Sequence, residues 1–167
     1  MNNKDDKIYN FVIDNEYNPG MTAVKNLDFR IVCKVLKIGT AVEIGTFCGT
    51  TAAYIAQYAD LVHTFDVRDL YQRDTWQELG LADKIVFHLV KNRDEIKEIL
   101  NGIEFDFAFV DGAHEYADTA ADFELVKRCG RVLFHDVDHP RFPGVSQFID
   151  ELGARRLDRN GYWMEGM

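Results

Sequence analysis

Cysteine and proline are scarce in this chain, with three of each among 167 residues. Cys33, Cys48 and Cys129 are odd in number and far apart, which argues against a disulfide-stapled scaffold and is typical of reduced thiols in the cytoplasm. No apolar run approaches the length of a membrane span, and the opening stretch MNNKDDKIYN has no apolar signal core. We therefore expect a soluble, cytoplasmic protein.

Positive charge is also in deficit, because 19 Lys and Arg residues face 28 Asp and Glu residues, a formal net charge of −9. Nucleic acids and anionic membranes both favour a basic partner, and no Lys/Arg cluster provides one. We expect neither as a partner. The apolar fraction of 47% and the length together suffice for one folded domain over 1–167.

Strand and helix patterns alternate along the chain after an N-terminal helical region, 1–39. Stretches such as FAFV are apolar at every position, as a parallel sheet covered on both faces requires. The alternation in the core, 40–152, therefore predicts an α/β fold: a Rossmann-like, doubly wound, mostly parallel sheet with helices on both faces. Asn160-Gly161 is a hairpin-turn signal that predicts a shortened antiparallel C-terminal edge in 153–167. The predicted strands are 40–45, 61–67, 85–90, 105–112 and 131–137; the predicted helices are 4–14, 22–39 (with Val24, Leu27, Ile31 and Val35 on its apolar face), 50–58, the Trp76 region, 93–101, 115–128 and 145–152.

Two nucleotide-binding motifs are absent: the G-x-G-x-x-G of dinucleotide folds and the Gly-Lys-Ser/Thr of triphosphate-binding loops. The segment AVEIGTFCGTTAAYIA, 41–56, nevertheless predicts a strand, a glycine loop and a helix, the arrangement that receives a nucleotide-like ligand in a parallel sheet. Polar residues also fall where strands are predicted to end, at the edge of the sheet where such ligands bind. They are Glu43, Asp66, Asp111 and the pair His135-Asp136.

The spacing of these residues indicates the ligand. Asp66 follows Gly45 by twenty-one positions, where a carboxylate can accept both hydroxyls of a ribose. An ordinary helix cap is the alternative interpretation of Asp66. Glu43 would repel a phosphate but suits an ammonium or sulfonium group. Because S-adenosylmethionine combines a ribose, an amino group and a positive sulfur, we expect it as the cofactor.

The segment VEIGTFCGTTAAYIA resembles the first motif of the class I S-adenosylmethionine-dependent methyltransferases. The segment from Phe105 to Leu152, which begins FDFAFVDGAHEYADTAADFELV, resembles their small-molecule O-methyltransferase branch, related to catechol and sugar O-methyltransferases. Lys91-Asn92-Arg93 and Gly130-Arg131 depart from the family pattern, which has Gly-x-Ser and Gly-Gly there. The resemblance implies contacts of Glu43, Gly45 and Gly49 with the methionine end and of Asp66 with the ribose. The full set of expected cofactor-binding residues is Glu43, Gly45, Thr46, Gly49, Thr50, Asp66, Asn92 and Asp111.

The same resemblance bears on a metal and on catalysis. Relatives bind a divalent cation such as Mg²⁺ through two aspartates, which match Asp111 and Asp136, and a third ligand whose position falls on His135 or Val137. Two carboxylates in one cleft repel each other unless a cation or shared proton intervenes, although both could instead cap helices. His114 or His135 is the candidate base, since imidazole titrates near neutral pH. The expected catalytic residues are His114, His135 and Asp136.

We therefore expect a methyltransferase acting on a hydroxyl of a small metabolite or sugar, with or without a metal. Two alternatives stay open: a non-catalytic module that binds S-adenosylmethionine or a nucleoside, and a metal-dependent enzyme on the same fold that transfers no methyl group. No inserted lid is evident, so the acceptor cleft is either open or completed by a second subunit in a homodimer.

Overall fold

The structure is a computed structural model that describes residues 7–14, 22–70 and 73–166. Positions 4–6 of the helix predicted over 4–14 lie outside the described residues, and the described part is helical from Lys7. The helices are α1 (Lys7–Asp14), α2 (Leu27–Val35), α3 (Thr50–Ala56), α4 (Arg73–Glu78), α5 (Arg93–Leu100), α6 (Tyr116–Val126) and α7 (Pro143–Leu152). The strands are β1 (Ile38–Ile44), β2 (Ala59–Asp66), β3 (Ile85–Leu89), β4 (Phe107–Val110), β5 (Arg131–Phe134), β6 (Arg155–Arg156) and β7 (Gly161–Met164).

The strands of the described ranges form one sheet in the order β3-β2-β1-β4-β5-β7-β6. Strands β1 to β5 are parallel, and β7 pairs antiparallel with both β5 and β6. The chain leaves β1 toward β2 on one side and later returns to β4 on the other, so the switch point lies between β1 and β4. The predicted fold class, including the short antiparallel C-terminal edge, is confirmed.

Alternate residues of the parallel strands pack into two separate cores, one on each face of the sheet. Along β4, Phe107 and Phe109 join the core that includes Phe29 of α2 and Tyr54 of α3. Ala108 and Val110 face the other core, beneath α5, α6 and α7. Burial on both faces explains why β4 is apolar at every position.

The predicted helix over 22–39 is wrong in its bounds and in its buried face. Thr22 caps only a 3₁₀ turn over Ala23–Lys25, and α2 begins after Asn26. This break leaves Leu27, Ile31 and Val35 exposed, at 57%, 39% and 71%. A second stripe with the same four-residue spacing, Phe29 and Cys33, is buried instead.

The C-terminal hairpin is anchored to α2. Asp28 accepts hydrogen bonds from the backbone of Arg159 and the side chain of Asn160. The backbone carbonyl of Arg159 in turn accepts the N–H of Val137, directly after the strand-end residues His135 and Asp136.

In the part of the chain that the structure describes, no helix has the length and apolar character needed to cross a membrane.

Candidate active site

The carboxyl ends of the parallel strands surround a cleft of about 800 Å³. The cleft lies at the switch point between β1 and β4, where ligands bind in doubly wound folds. Its walls include apolar side chains after β2 and β3 and polar side chains after β4 and β5. The predicted site residues that line it are Gly45, Asp66, Asn92, Asp111, His114, His135 and Asp136.

The loop after β1 depends on a glycine at position 45. Gly45 has a φ of +100°, and a Cβ on it would stand 2.1 Å from the carbonyl oxygen of Asp111. The glycine therefore permits the ends of β1 and β4 to approach each other, which no side chain would allow. Phe47 also has a positive φ, of 45°, so this loop is held in a conformation that most residues avoid.

Asp66 ends β2 and holds that loop in place. Its Oδ2 accepts the N–H of Phe47 at 2.8 Å, and its Oδ1 accepts the N–H of Arg68 at 2.9 Å. Each carboxylate oxygen can accept a further hydrogen bond. Asp66 faces the cleft, so its position fits the predicted contact with a ribose.

Glu43 lies behind the cleft wall rather than on it. The residue is fully buried, and its Oε2 accepts the hydroxyl of Thr64 at 2.5 Å, while Thr64 contacts the hydroxyl of Thr46 at 2.6 Å. Its Oε1 has no hydrogen-bond partner among the residues that the structure describes. Burial raises the pKa of Glu43 well above its ordinary value, and the hydrogen bond from Thr64, which lowers this pKa, offsets only part of that shift. The raised pKa favours the neutral form of Glu43, which would not attract a sulfonium by charge, and the contact of Glu43 with the cofactor stays a prediction.

Gly49 and Thr50 also support the loop from behind. Gly49 has a φ of +79°, and a Cβ there would stand 2.6 Å from the ring of Trp76. The indole Nε1 of Trp76 donates to the carbonyl oxygen of Gly49 at 2.9 Å. The hydroxyl of Thr50 lies 3.2 Å from that of Thr22. Neither Gly49 nor Thr50 lines the cleft, and their contact with the cofactor stays a prediction.

The lining of the cleft also contains an ion-pair network that the sequence did not predict. Asn92 caps α5 by accepting two N–H groups of its first turn. Arg93 donates through Nε to Asp122 at 2.7 Å, and its Nη1 lies 2.9 Å from Asp118. The available signal was the four-residue spacing of Asp118 and Asp122, which puts both on one face of α6.

Asp111, His114 and Asp136 form a cluster in the lining of the cleft. The Nε2 of His114 lies 2.9 Å from Oδ2 of Asp136 and 3.5 Å from Oδ1 of Asp111. One ligand atom from each residue lies within 4.8 Å of the others. Asp136 has a φ of +59°, a strained backbone of the kind found at functional sites.

The charges in this cluster balance one another. Contacts with Asp111 and Asp136 raise the pKa of His114 to about 9, so the imidazole is positively charged at neutral pH. Burial acts to raise the pKa of Asp111, but His135 and His114 hold it below its ordinary value. His114 therefore supplies the positive charge that allows two carboxylates to converge.

His135 is nearly buried, with 8% of its surface exposed. Its Nδ1 lies 3.2 Å from Oδ1 of Asp111, and its Nε2 lies 3.1 Å from the side-chain nitrogen of Asn26. Burial lowers the pKa of His135 but the charge of Asp111 raises it, with a net upward shift. Neither ring nitrogen directs a free lone pair into the cleft, which disfavours His135 as base or metal ligand.

Aromatic rings form the wall beside the cluster, and the sequence did not single out Phe142 among them. Phe142 stacks on His114, with ring centroids 4.0 Å apart, and on His139, 4.5 Å away. All three rings line the cleft. The stack fixes the imidazole of His114 next to the carboxylates.

Comparison with known proteins identifies the family. The model of the methyltransferase-domain family matches residues 42–137, more than half of the chain. The protein therefore belongs to this family, and the resemblance to class I S-adenosylmethionine-dependent methyltransferases is confirmed. A search of curated proteins found no significant match.

Solved structures share the fold at low sequence identity. The O-methyltransferase TomG from Streptomyces achromogenes, in complex with S-adenosylmethionine, has a TM-score of 0.70 and 19% identity over 96% of this chain and 88% of its own. An O-methyltransferase from Bacillus cereus, in complex with S-adenosylhomocysteine, has a TM-score of 0.70 and 15% identity over 96% and 91%. CalS11, a TDP-rhamnose 3′-O-methyltransferase of calicheamicin biosynthesis, has a TM-score of 0.63 and 16% identity over 94% and 87%.

Proposed function

We propose that the protein transfers the methyl group of S-adenosylmethionine to a hydroxyl oxygen of a small metabolite or sugar. The observation that carries this proposal is that one cleft is lined both by Asp66 and by the Asp111–His114–Asp136 cluster. Support also comes from the solved relatives, which are named as O-methyltransferases and were solved with this cofactor or its product in two cases.

Asp66 and the cluster have separate tasks in this reaction. S-adenosylmethionine supplies a methyl group on a positively charged sulfur, so the chain has to hold it, align the acceptor and remove the acceptor's proton. Asp66 holds the ribose, and the loop from Gly45 to Gly49 lies beside it. Asp136 accepts the proton of the acceptor hydroxyl, and the charged His114 beside it stabilises the resulting negative charge.

The donor set of the cluster fits a divalent cation. Two carboxylates and one imidazole within 4.8 Å of one another suit Mn²⁺ or Fe²⁺ as well as Mg²⁺. Asp111, His114 and Asp136 would hold the ion, with His114 in place of the predicted His135. Such an ion would lower the pKa of an acceptor hydroxyl. It would also replace the proton of His114 as the charge between the carboxylates.

Calorimetry with S-adenosylmethionine, S-adenosylhomocysteine and NAD tests the cofactor. We expect the two sulfur ligands to bind and NAD to bind weakly or not at all. Incubation with labelled S-adenosylmethionine and a panel of hydroxylated small molecules, with Mn²⁺, Mg²⁺ or a chelator, then tests methyl transfer. Tight NAD binding without the sulfur ligands would contradict the proposal, and cofactor binding without transfer to any acceptor would favour a non-catalytic module.

The carboxylate pair has its own test. Asp111→Asn and Asp136→Asn each remove one negative charge from the cluster, so we expect methyl transfer to fall at least tenfold, by about 1.4 kcal/mol or more of transition-state stabilisation. Affinity for S-adenosylhomocysteine should change less, because Asp66, which holds the ribose in this proposal, is unchanged in both variants. Asp158→Asn, on the exposed hairpin turn, is the matched control. Full activity in both cluster variants would remove these carboxylates from the mechanism.

A further inference from the structure

Asn26 occupies a helix N-cap without capping the helix. Asparagine is among the favoured N-cap residues, and the bond it makes there is typically worth about 1 kcal/mol. The side chain of Asn26 makes no such bond with α2. Its amide nitrogen instead lies 3.1 Å from Nε2 of His135, 109 positions away in the chain. A local interaction is thus replaced by a long-range contact at the edge of the active site.

The contact constrains the imidazole of His135. The carboxylate of Asp111 can only accept a hydrogen bond, so the Nδ1 that lies 3.2 Å from it must carry a hydrogen. In the neutral ring Nε2 is then an acceptor, and the amide of Asn26 is the donor that satisfies it. In the protonated ring Nδ1 still donates to Asp111, but Nε2 then also carries a hydrogen, and the amide oxygen of Asn26 would have to turn toward it in place of the nitrogen.

We propose that Asn26 and His135 are positioning residues for Asp111. Asn26 holds the far edge of the His135 ring, and the Nδ1–H of His135 holds the Asp111 carboxylate in its orientation toward the cleft. The inference rests on the proposed function in that Asp111 acts next to the acceptor. It makes the segment before α2, which lies outside the family match over 42–137, a part of the active site.

A second contact from the same segment agrees with this role. Thr22, four residues before Asn26, places its hydroxyl 3.2 Å from that of Thr50, at the start of α3 behind the cofactor loop. Both threonines are buried. The 3₁₀ turn Ala23–Lys25 between Thr22 and Asn26 is therefore fixed at both ends against the site, which gives Asn26 a rigid support.

The hydrogen on Nδ1 can be observed directly. Long-range ¹H–¹⁵N correlation spectra of the ¹⁵N-labelled protein distinguish protonated from unprotonated ring nitrogens, with the His135 signals assigned from a His135→Asn variant. We expect hydrogen on Nδ1 in the wild type and mixed or broadened signals in Asn26→Ala. Leu27→Ala, an exposed neighbour, should match the wild type. An Nδ1 without hydrogen in the wild type, or unchanged signals in Asn26→Ala, would overturn the proposal.

Two substitutions of His135 test whether the hydrogen-bond donor to Asp111 matters, rather than the size of the side chain. The amide nitrogen of asparagine reaches the place of Nδ1, whereas that of glutamine reaches the place of Nε2. With Mn²⁺ as the probe in calorimetry, we expect His135→Gln and Asn26→Ala to weaken binding about tenfold or more, the usual effect of removing a group that orients a metal ligand. His135→Asn keeps a donor to Asp111 and loses only the contact with Asn26, so we expect it to weaken binding less than His135→Gln, and Leu27→Ala should stay close to the wild type.

Melting temperatures and kinetics complete the test. Since Asn26 does no capping, Asn26→Ala should lower the melting temperature little, while kcat falls and KM for S-adenosylmethionine stays constant. Equal losses in His135→Asn and His135→Gln would overturn the proposal. If the wild type binds no Mn²⁺, the metal component of the proposed function fails, and the ring spectra still decide the role of Asn26 and His135.

Discussion

Asp66 joins two tasks in one carboxylate, because it fixes the backbone of the cofactor loop and faces the cleft. We expect Asp66→Ala to weaken binding of S-adenosylhomocysteine at least tenfold, since hydrogen bonds to a charged group are worth about 1.5–3 kcal/mol each. Isothermal titration measures the change. Asp60→Ala, an exposed residue of the same strand, should bind as the wild type does. Unchanged affinity in a folded Asp66→Ala protein would remove Asp66 from the site.

The sequence indicates which acidic residues end strands, but not always which way they point. Asp66, Asp111 and Asp136 each come after the last apolar position of a strand, so their side chains reach the cleft. Glu43 precedes the last residue of β1, and that strand is covered on both faces. Apolar periodicity therefore gave no indication that Glu43 would be buried against Thr64.

At the scale of the element, the loop after β1 is determined by close backbone contact. A side chain at position 45 that pointed into the cleft would close the ligand loop and leave the sheet folded. The structure directs that Cβ into the carbonyl of Asp111 instead, so the sheet itself is affected. We expect Gly45→Ala to lower the free energy of unfolding by about 1–3 kcal/mol from overpacking, in addition to the strain of a positive φ.

Gly80→Ala separates these two effects in denaturant unfolding. Gly80 also has a positive φ, of +69°, but no atom of the described residues lies within 4 Å of its Cβ position. The free energy of unfolding of this variant should fall only by the strain of a positive φ, about 1–2 kcal/mol. Equal losses at positions 45 and 80 would show that β1 and β4 can separate without penalty.

The bounds of α2 show where periodicity fails at the level of an element. Leu27, Ile31 and Val35 have the same spacing as Phe29 and Cys33, so the sequence carries two competing apolar stripes. The break at Asn26, whose side chain bonds to His135 rather than to the helix, sets the rotation that buries the second stripe. This long-range contact has no counterpart in the local sequence pattern.

At the scale of the whole molecule, burial of Glu43 makes stability depend on pH. Its pKa is raised in the folded state, so the folded protein keeps a proton that the unfolded chain releases above the ordinary pKa of about 4.3. The stability is full below that value and decreases as pH rises toward the folded pKa. The slope is about 1.4 kcal/mol per pH unit for one proton.

Glu43→Gln removes this dependence while it keeps an acceptor for the hydroxyl of Thr64. Other titrating groups, such as His114, affect both proteins alike, so the difference between the two unfolding free energies isolates Glu43. In urea titrations between pH 5 and 8, we expect the wild type to lose stability relative to Glu43→Gln as the pH is raised. Parallel curves would mean that Glu43 is ionised in the folded protein. A charged Glu43 would then restore the electrostatic attraction for a sulfonium that the sequence suggested.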